Sequence, residues 1–310
     1  MSPTIAITGA TGFIGGPIGE RLLEAGYAVK ALVRSSSSPK TTPHPSLHWI
    51  HGALEEPKSL QCLVEDVDAV IHCAGVVRGT TQQSFDTVNA AGVRRLARIC
   101  AGRSPAPRFL LLSSLAAREP SISPYAASKR KGEQVVADLS ERIRWTALRA
   151  PAVYGPGDRA LLPLFQLMSR GVAPILGPNE ARFSMLHVDD LAAAVLHWLA
   201  SDCQRGIYEL HDGRAGGYRW DDAVNTAEAL RGKRVVRIPV SAFAMRRLAS
   251  INVSLARLFG YAPMLTPGKV RELRHCDWVC DNRELSRAIG WKPQVPLEAG
   301  LRKMLDWTEE

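Results

Sequence analysis

Residues 5–15 read IAITGATGFIG. The run IAIT has the length and apolar character of a buried strand, and Gly9, Gly12 and Gly15 follow it at three-residue intervals before helical spacing begins. Strand, glycine turn and helix together are what a dinucleotide pyrophosphate requires. Its oxygens must approach backbone N–H groups at a helix N-terminus more closely than any Cβ permits. Gly9, Thr11, Gly12, Phe13, Ile14 and Gly15 are therefore expected to form a phosphate loop. Pro17 falls just beyond the first turn of a helix expected over residues 13–24 and predicts a frayed or slightly bent start there.

The same alternation continues outward from the loop. Apolar runs of strand length at residues 4–8, 28–33, 47–51, 69–73, 109–112 and 144–148 are separated by helical periodicity over 13–24, 59–64, 84–101 and 125–142. Strands that are apolar on both faces and alternate with helices imply a doubly wound α/β (Rossmann) fold, its parallel sheet covered on both sides. After Arg149 the chain turns rich in Pro and Gly, with a helix at 188–200 and a strand at 206–211 that can return to the main sheet. This predicts a dinucleotide-binding domain from residues 1–154 and 183–212, and a smaller substrate-binding domain from 155–182 and 213–310.

With 310 residues, 46% hydrophobic and 22% charged, the chain can bury a substantial core, which excludes a disordered or fibrous protein. No run approaches the roughly 20 apolar residues of a membrane span, and MSPTIAITGA lacks a signal-peptide pattern, so a cytoplasmic location is expected. Lys and Arg exceed Asp and Glu by nine, a surplus that reads as spread along the chain. It suits a phosphate-bearing small molecule better than nucleic acid. The cysteines (Cys62, Cys73, Cys100, Cys203, Cys276 and Cys280) contain no C-x-x-C pair, so neither a disulfide framework nor a metal site is expected.

The strand at 28–33 is followed by Arg34, where a cofactor with a free ribose 2′-hydroxyl would meet an acid. A guanidinium instead grips a 2′-phosphate through charge-assisted bidentate bonds, with further donors from Ser35 to Ser38; a solvated loop is the alternative. NADP(H) is therefore the expected cofactor, with NAD(H) still open.

Residues 110–133 read LLLSSLAAREPSISPYAASKRKGE, in which Tyr125 and Lys129 are four apart and share a helical face. A phenol with a reference pKa near 10 is a poor acid or base at neutral pH unless phenolate is stabilised, a task suited to the adjacent ammonium and a nicotinamide's positive charge. Tyr125 is the expected general acid/base. Ser114, at the C-terminal end of its strand, is expected to hold the reacting oxygen, with Ser113 as its rival.

By these residues the chain resembles an extended short-chain dehydrogenase/reductase, the group that includes NAD-dependent sugar epimerases and dehydratases. The resemblance rests on TGATGFIG (8–15), HCAG (72–75), VNAAGVRRL (88–96), Ser113 with Ser114, YAASK (125–129), LRAPAVYGPGD (148–158), HVDDLA (187–192) and GWKPQVPLEAGL (290–301), and covers nearly the whole chain. It implies that Ala74, Gly75 and Val76 line the nicotinamide ribose and that Asn89 sits behind the catalytic face. It also implies that Lys129 binds ribose hydroxyls besides tuning Tyr125, and that backbone from Pro151 to Val153 meets the carboxamide. Ala53, beside Leu54 near the adenine, stands where the family often has an acid, and Arg34 replaces the acid of NAD-retaining epimerases. VKALVRSSSS (29–38) resembles dihydroflavonol-reductase-like and 3β-hydroxysteroid-dehydrogenase-like members.

The implied activity is hydride transfer between NADP(H) and a secondary alcohol or ketone. The alternatives are a nucleotide-sugar epimerase or dehydratase that retains NAD, and a non-catalytic NADP-binding protein. His187, Asp189 and Asp190 read as a helix cap in preference to a metal site. Residues 240–265, apolar with interleaved arginines, read as pocket wall or homodimer contact, with membrane contact not the favoured reading. Leu161, Phe165 and Met185 are candidate specificity residues.

Overall fold

The computed structural model describes residues 2–37, 43–202, 205–305 and 307; Ser38 and Cys203 lie outside them. Parallel strands form a seven-stranded sheet in the order Gly206–Glu209, Trp145–Ala150, Arg108–Ser114, Ala69–His72, Thr4–Thr8, Ala28–Val33, Leu47–His51. The central strands are closed to water on both faces, as in IAIT, where every residue is buried. Chain order reverses between Thr4–Thr8 and Ala69–His72, so the loops after these two strands diverge and leave a crevice at their C-terminal ends.

Two apolar clusters cover the sheet. One packs Ile18 and Leu22 of helix Gly15–Glu24 and Leu191, Val195 and Trp198 of helix Val188–Ala200 against Ile5, Ile7 and Leu148. The other packs Val93, Leu96, Cys100 and Val136 against Val70, Phe109 and Ala147. A third core lies apart from these, built from Tyr154, Phe165, Met168, Ile175, Trp220, Val224, Leu297, Leu301 and Trp307. Tyr154 and Met185, both within the ranges expected to form the nucleotide-binding part, belong to this third core. Leu285, Ile289 and Trp291, late in the chain, pack back into the first sheet core.

Strand Gly206–Glu209 does return to the main sheet, pairing parallel with Trp145–Ala150. Two local expectations need correction. Helix Gly15–Glu24 starts two residues later than expected, so Pro17 falls inside its first turn, where backbone donors have no intrahelical partner. The single helix expected over 84–101 is instead Gln82–Asp86, a π-helical turn Thr87–Gly92, and Val93–Ala101.

Candidate active site

The glycine loop is compact because its backbone stacks on itself. Gly9 has φ of +77°, and a Cβ there would lie 2.8 Å from the Ala74 nitrogen and 2.9 Å from the Cys73 carbonyl carbon. A Cβ on Gly15 would run into the Gly9 carbonyl, which already accepts the Gly12 N–H at 2.9 Å. Thr8 fixes the neighbouring strand end, its hydroxyl meeting His72 Nδ1 at 2.8 Å and accepting the Ala74 N–H at 3.3 Å. Burial drives the His72 pKa down to about 3, so this imidazole is neutral and serves as a hydrogen-bonding strut. The result is an exposed backbone cradle at Thr11 and Gly12, walled by Phe13 and Ile14, that side chains would fill. It fits a dinucleotide pyrophosphate.

Arg34 is exposed at the end of its strand. Pairing of Leu32 with Thr8 and of Val33 with His51 sets it between the glycine loop and the turn carrying Ala53 and Leu54. Leu54 is buried against Gly92, and Ala53 is half-buried.

The two serines separate as strand alternation demands. Ser113 donates to Glu133 Oε1 at 2.6 Å, and Glu133 is clamped by Arg149 through Nε (2.9 Å) and Nη2 (2.8 Å). Ser113 is thus absorbed into a buried ion-pair network. Ser114 faces the other way, where its hydroxyl interacts with the Tyr125 phenol. Tyr125 itself stands in the first turn of helix Pro124–Ala137, which Ser123 caps by accepting the Ala126 N–H at 3.0 Å.

Lys129 follows one turn later, and its ammonium donates to the Leu112 carbonyl at 2.6 Å. Burial outweighs Ser114 and pushes the phenol up to about 12, while the same loss of water pulls Lys129 down to about 8. Without a cofactor's charge beside it, the phenol is protonated in the free protein.

Asn89 lies in the π-helical turn, a local widening that points its amide at the loop behind Gly75. Its Oδ1 accepts the Val76 N–H at 2.9 Å, and its Nδ2 donates to the Val76 carbonyl and the Ser128 hydroxyl, both at 2.9 Å. Ser128 in turn donates to the Tyr125 carbonyl at 2.7 Å. Asn89 therefore ties the strand end bearing Ala74, Gly75 and Val76 to the helix bearing Tyr125 and Lys129. Ser128 and Thr8, which complete this frame, were not legible in advance, because a buried hydroxyl carries no sequence signal of its partner. Pro151 and Val153 follow the next strand and are half-buried.

A cavity of about 250 Å³ opens against the phenol. Its walls include Val77, Phe85, Val253, Met264 and Pro267 together with the charged Arg257, Lys269, Arg271 and Glu272.

A family model described as the NAD dependent epimerase/dehydratase family matches residues 5–210. The chain belongs to this family. Among curated proteins it is similar to the ceramide reductase of Caulobacter vibrioides (36% identical, covering 98% of this chain and 93% of that protein). It is also similar to the 2-alkyl-3-oxoalkanoate reductase of Stenotrophomonas maltophilia (27% identical, 97% and 98%). Among solved structures, a UDP-glucuronic acid 4-epimerase from Bacillus cereus in complex with NAD superposes with a TM-score of 0.74 at 19% identity, covering 97% of each chain. The chain is thus an NAD(P)-dependent enzyme of the extended short-chain dehydrogenase/reductase type.

Within this extended short-chain dehydrogenase/reductase, the HVDDLA segment is architectural. His187 caps helix Val188–Ala200 by accepting the Asp189 N–H at 3.2 Å, and Asp190 accepts the N–H groups of Gln294 and Val295, both at 2.9 Å. Among the described residues no cluster of His, Cys, Asp and Glu could hold a metal. Two of the expected specificity residues are core instead: Phe165 and Met185 are buried in the third cluster, and Leu161 packs against it. The cavity beside Tyr125 draws instead on Phe85 and on residues 253–272, where Val253, Arg257 and Met264 fall within the 240–265 segment expected as pocket wall.

Proposed function

We propose that this enzyme is an NADP(H)-dependent reductase of a ketone carried on an apolar chain, with Tyr125 as the proton donor. The observation that carries this reading is the convergence of Tyr125, Ser114 and Lys129 at the mouth of the sheet crevice, with a cavity against the phenol lined by Val77, Phe85, Val253 and Met264 together with the charged Arg257, Lys269, Arg271 and Glu272. When bound, the nicotinamide supplies or takes up the hydride. Tyr125 delivers a proton from its phenolic oxygen to the substrate oxygen; burial keeps that proton in place in the free protein, and its release needs positive charge beside the phenolate. Ser114 orients that oxygen through its hydroxyl. Lys129, held on the Leu112 carbonyl, supplies a positive charge on the same side of the helix as the phenol and lowers the cost of the phenolate left behind. The apolar walls at Val77, Phe85, Val253 and Met264 fit an alkyl group, in keeping with relatives named as reductases of ceramide and of 2-alkyl-3-oxoalkanoate.

Arg34, exposed beside the glycine loop, supports NADP(H) over NAD(H). Arg34→Glu should weaken NADPH binding by about tenfold or more while leaving NADH binding equal or tighter, because the guanidinium meets only the 2′-phosphate. Titration of both dinucleotides against the wild type and the variant decides it. Equal losses for the two cofactors would remove Arg34 from the 2′-phosphate site and return the NAD-retaining epimerase reading to the front.

A further inference from the structure

Helix Ala242–Phe259 has three faces. Met245, Ala249 and Ala256 are buried against the body, and Asn252 fixes the rotation, donating to the Leu265 carbonyl at 2.9 Å and accepting the Tyr261 hydroxyl at 2.6 Å. Leu248, Ile251, Leu255, Leu258 and Phe259, spaced by three and four residues, share a second face that points to solvent. Leu258 is 75% exposed and Phe259 71%. The third face carries Arg246 and Arg257 with Ser250 and Ser254, and Arg247 stands where it meets the apolar stripe; all five are exposed.

An apolar stripe this long on an ordinary surface helix is not explained by packing, since the buried seam is complete without it. The charge on the helix itself is one-signed, Arg246, Arg247 and Arg257 with no acid, whereas nearby Arg237 is paired with Asp221 and Glu228, and Lys269 with Glu272. Residues 229–271 contain nine Lys and Arg and no Asp or Glu, a concentration hidden within the modest surplus of the whole chain. The same helix supplies Val253 and Arg257 to the cavity that holds the Tyr125 phenol, and half-exposed Val77 forms another part of that wall. No helix among the described residues is long and apolar enough to cross a membrane.

We propose that helix Ala242–Phe259 lies in the surface of an anionic lipid bilayer, its apolar stripe among the acyl chains and its arginines at the head groups. The bilayer is favoured over a second copy of this chain because an all-basic segment attracts acidic head groups and repels its own like. This membrane contact does not rest on the reductase reading above. The membrane reading also replaces the assignment of residues 240–265 to pocket wall or homodimer contact alone.

Flotation of the full chain with vesicles separates these possibilities without any turnover. Wild type should float with equimolar phosphatidylcholine and phosphatidylglycerol vesicles, less so as salt is raised, and at least about tenfold less with phosphatidylcholine alone. The triple variant Ile251→Glu, Leu255→Glu, Leu258→Glu should stay with the soluble fraction while keeping the wild-type melting temperature and NADPH affinity, since all three side chains face solvent. Wild type that fails to float with the anionic vesicles would overturn the proposal. So would a wild-type dimer that the triple variant converts to monomer without vesicle binding at any stage. Flotation without ketone reduction would leave the membrane surface standing and remove only the reductase reading.

Discussion

Tyr125→Phe should lower kcat by about a hundred- to ten-thousandfold while leaving the affinity for NADPH unchanged. The substitution removes one oxygen and keeps the ring, whose edge contact with Phe85 (centroids 6.1 Å apart) and whose place in the first turn of helix Pro124–Ala137 both survive. What is lost is the phenolic hydroxyl beside Ser114. Because burial holds the phenol up near 12, wild type is fully protonated through the neutral range, and reduction should not titrate there on account of Tyr125. Lys129 behaves oppositely: burial disfavours its charged form, so the ammonium is present below about pH 8 and lost as the pH rises past it. Hence kcat/KM for ketone reduction should decline above about pH 8, whereas Tyr125→Phe should show a flat residual rate. A variant that turns over at the wild-type rate would remove the phenol from the chemistry.

Gly9→Ala should weaken NADPH binding by at least about a hundredfold, equivalent to about 2.7 kcal/mol. Two effects add. A non-glycine residue in the left-handed region costs roughly 1–2 kcal/mol. In addition, the new methyl would press on backbone atoms of Cys73 and Ala74, which cannot swing aside as a flexible side chain would. Relief requires moving the strand end that carries Gly75 and Val76, which Asn89 holds in place. Gly19→Ala, in the following helix where nothing lies within 4 Å of the added carbon, is the control and should bind NADPH as wild type does. Isothermal titration with both variants, alongside their melting curves in the absence of cofactor, distinguishes a damaged cradle from an unfolded chain. Equal affinities for the two variants would show that the loop has slack the geometry does not suggest.

The contrast between these sites explains what could be read in advance. The glycine loop was legible because its chemistry acts through backbone, and only glycine permits that approach; Gly9, Gly12 and Gly15 announce it at fixed spacing. Tyr125 and Lys129 were legible because a helix turns four residues into neighbours. Strand alternation allowed only one of Ser113 and Ser114 to face the crevice, but choosing between them required knowing where the buried Glu133 and Arg149 lie, a pairing made across 16 residues by tertiary packing. The phenol's raised pKa in the free protein was not legible for a related reason: burial depends on residues far along the chain. Glu272, brought against the same helix from the last third of the sequence by its bond with Ser123, adds negative charge that raises it further. Pro17 fell beyond the expected first turn only because the helix was taken to start at Phe13. The pocket-wall reading of residues 240–265 is met at Val253, Arg257 and Met264, although apolar periodicity alone did not reveal which helix face meets protein, substrate or lipid.

The central claim is that Tyr125 and the cofactor carry out a net reduction and release the oxidised dinucleotide. The most direct measurement uses NADPH deuterated at the transferable position of the nicotinamide, mixed with the purified protein and an alkyl ketone, and follows the label by mass spectrometry. One deuterium on the new carbinol carbon for each NADPH consumed is the predicted result. Protein that retains bound NAD after purification, isomerises a substrate and leaves the added label untouched would contradict it.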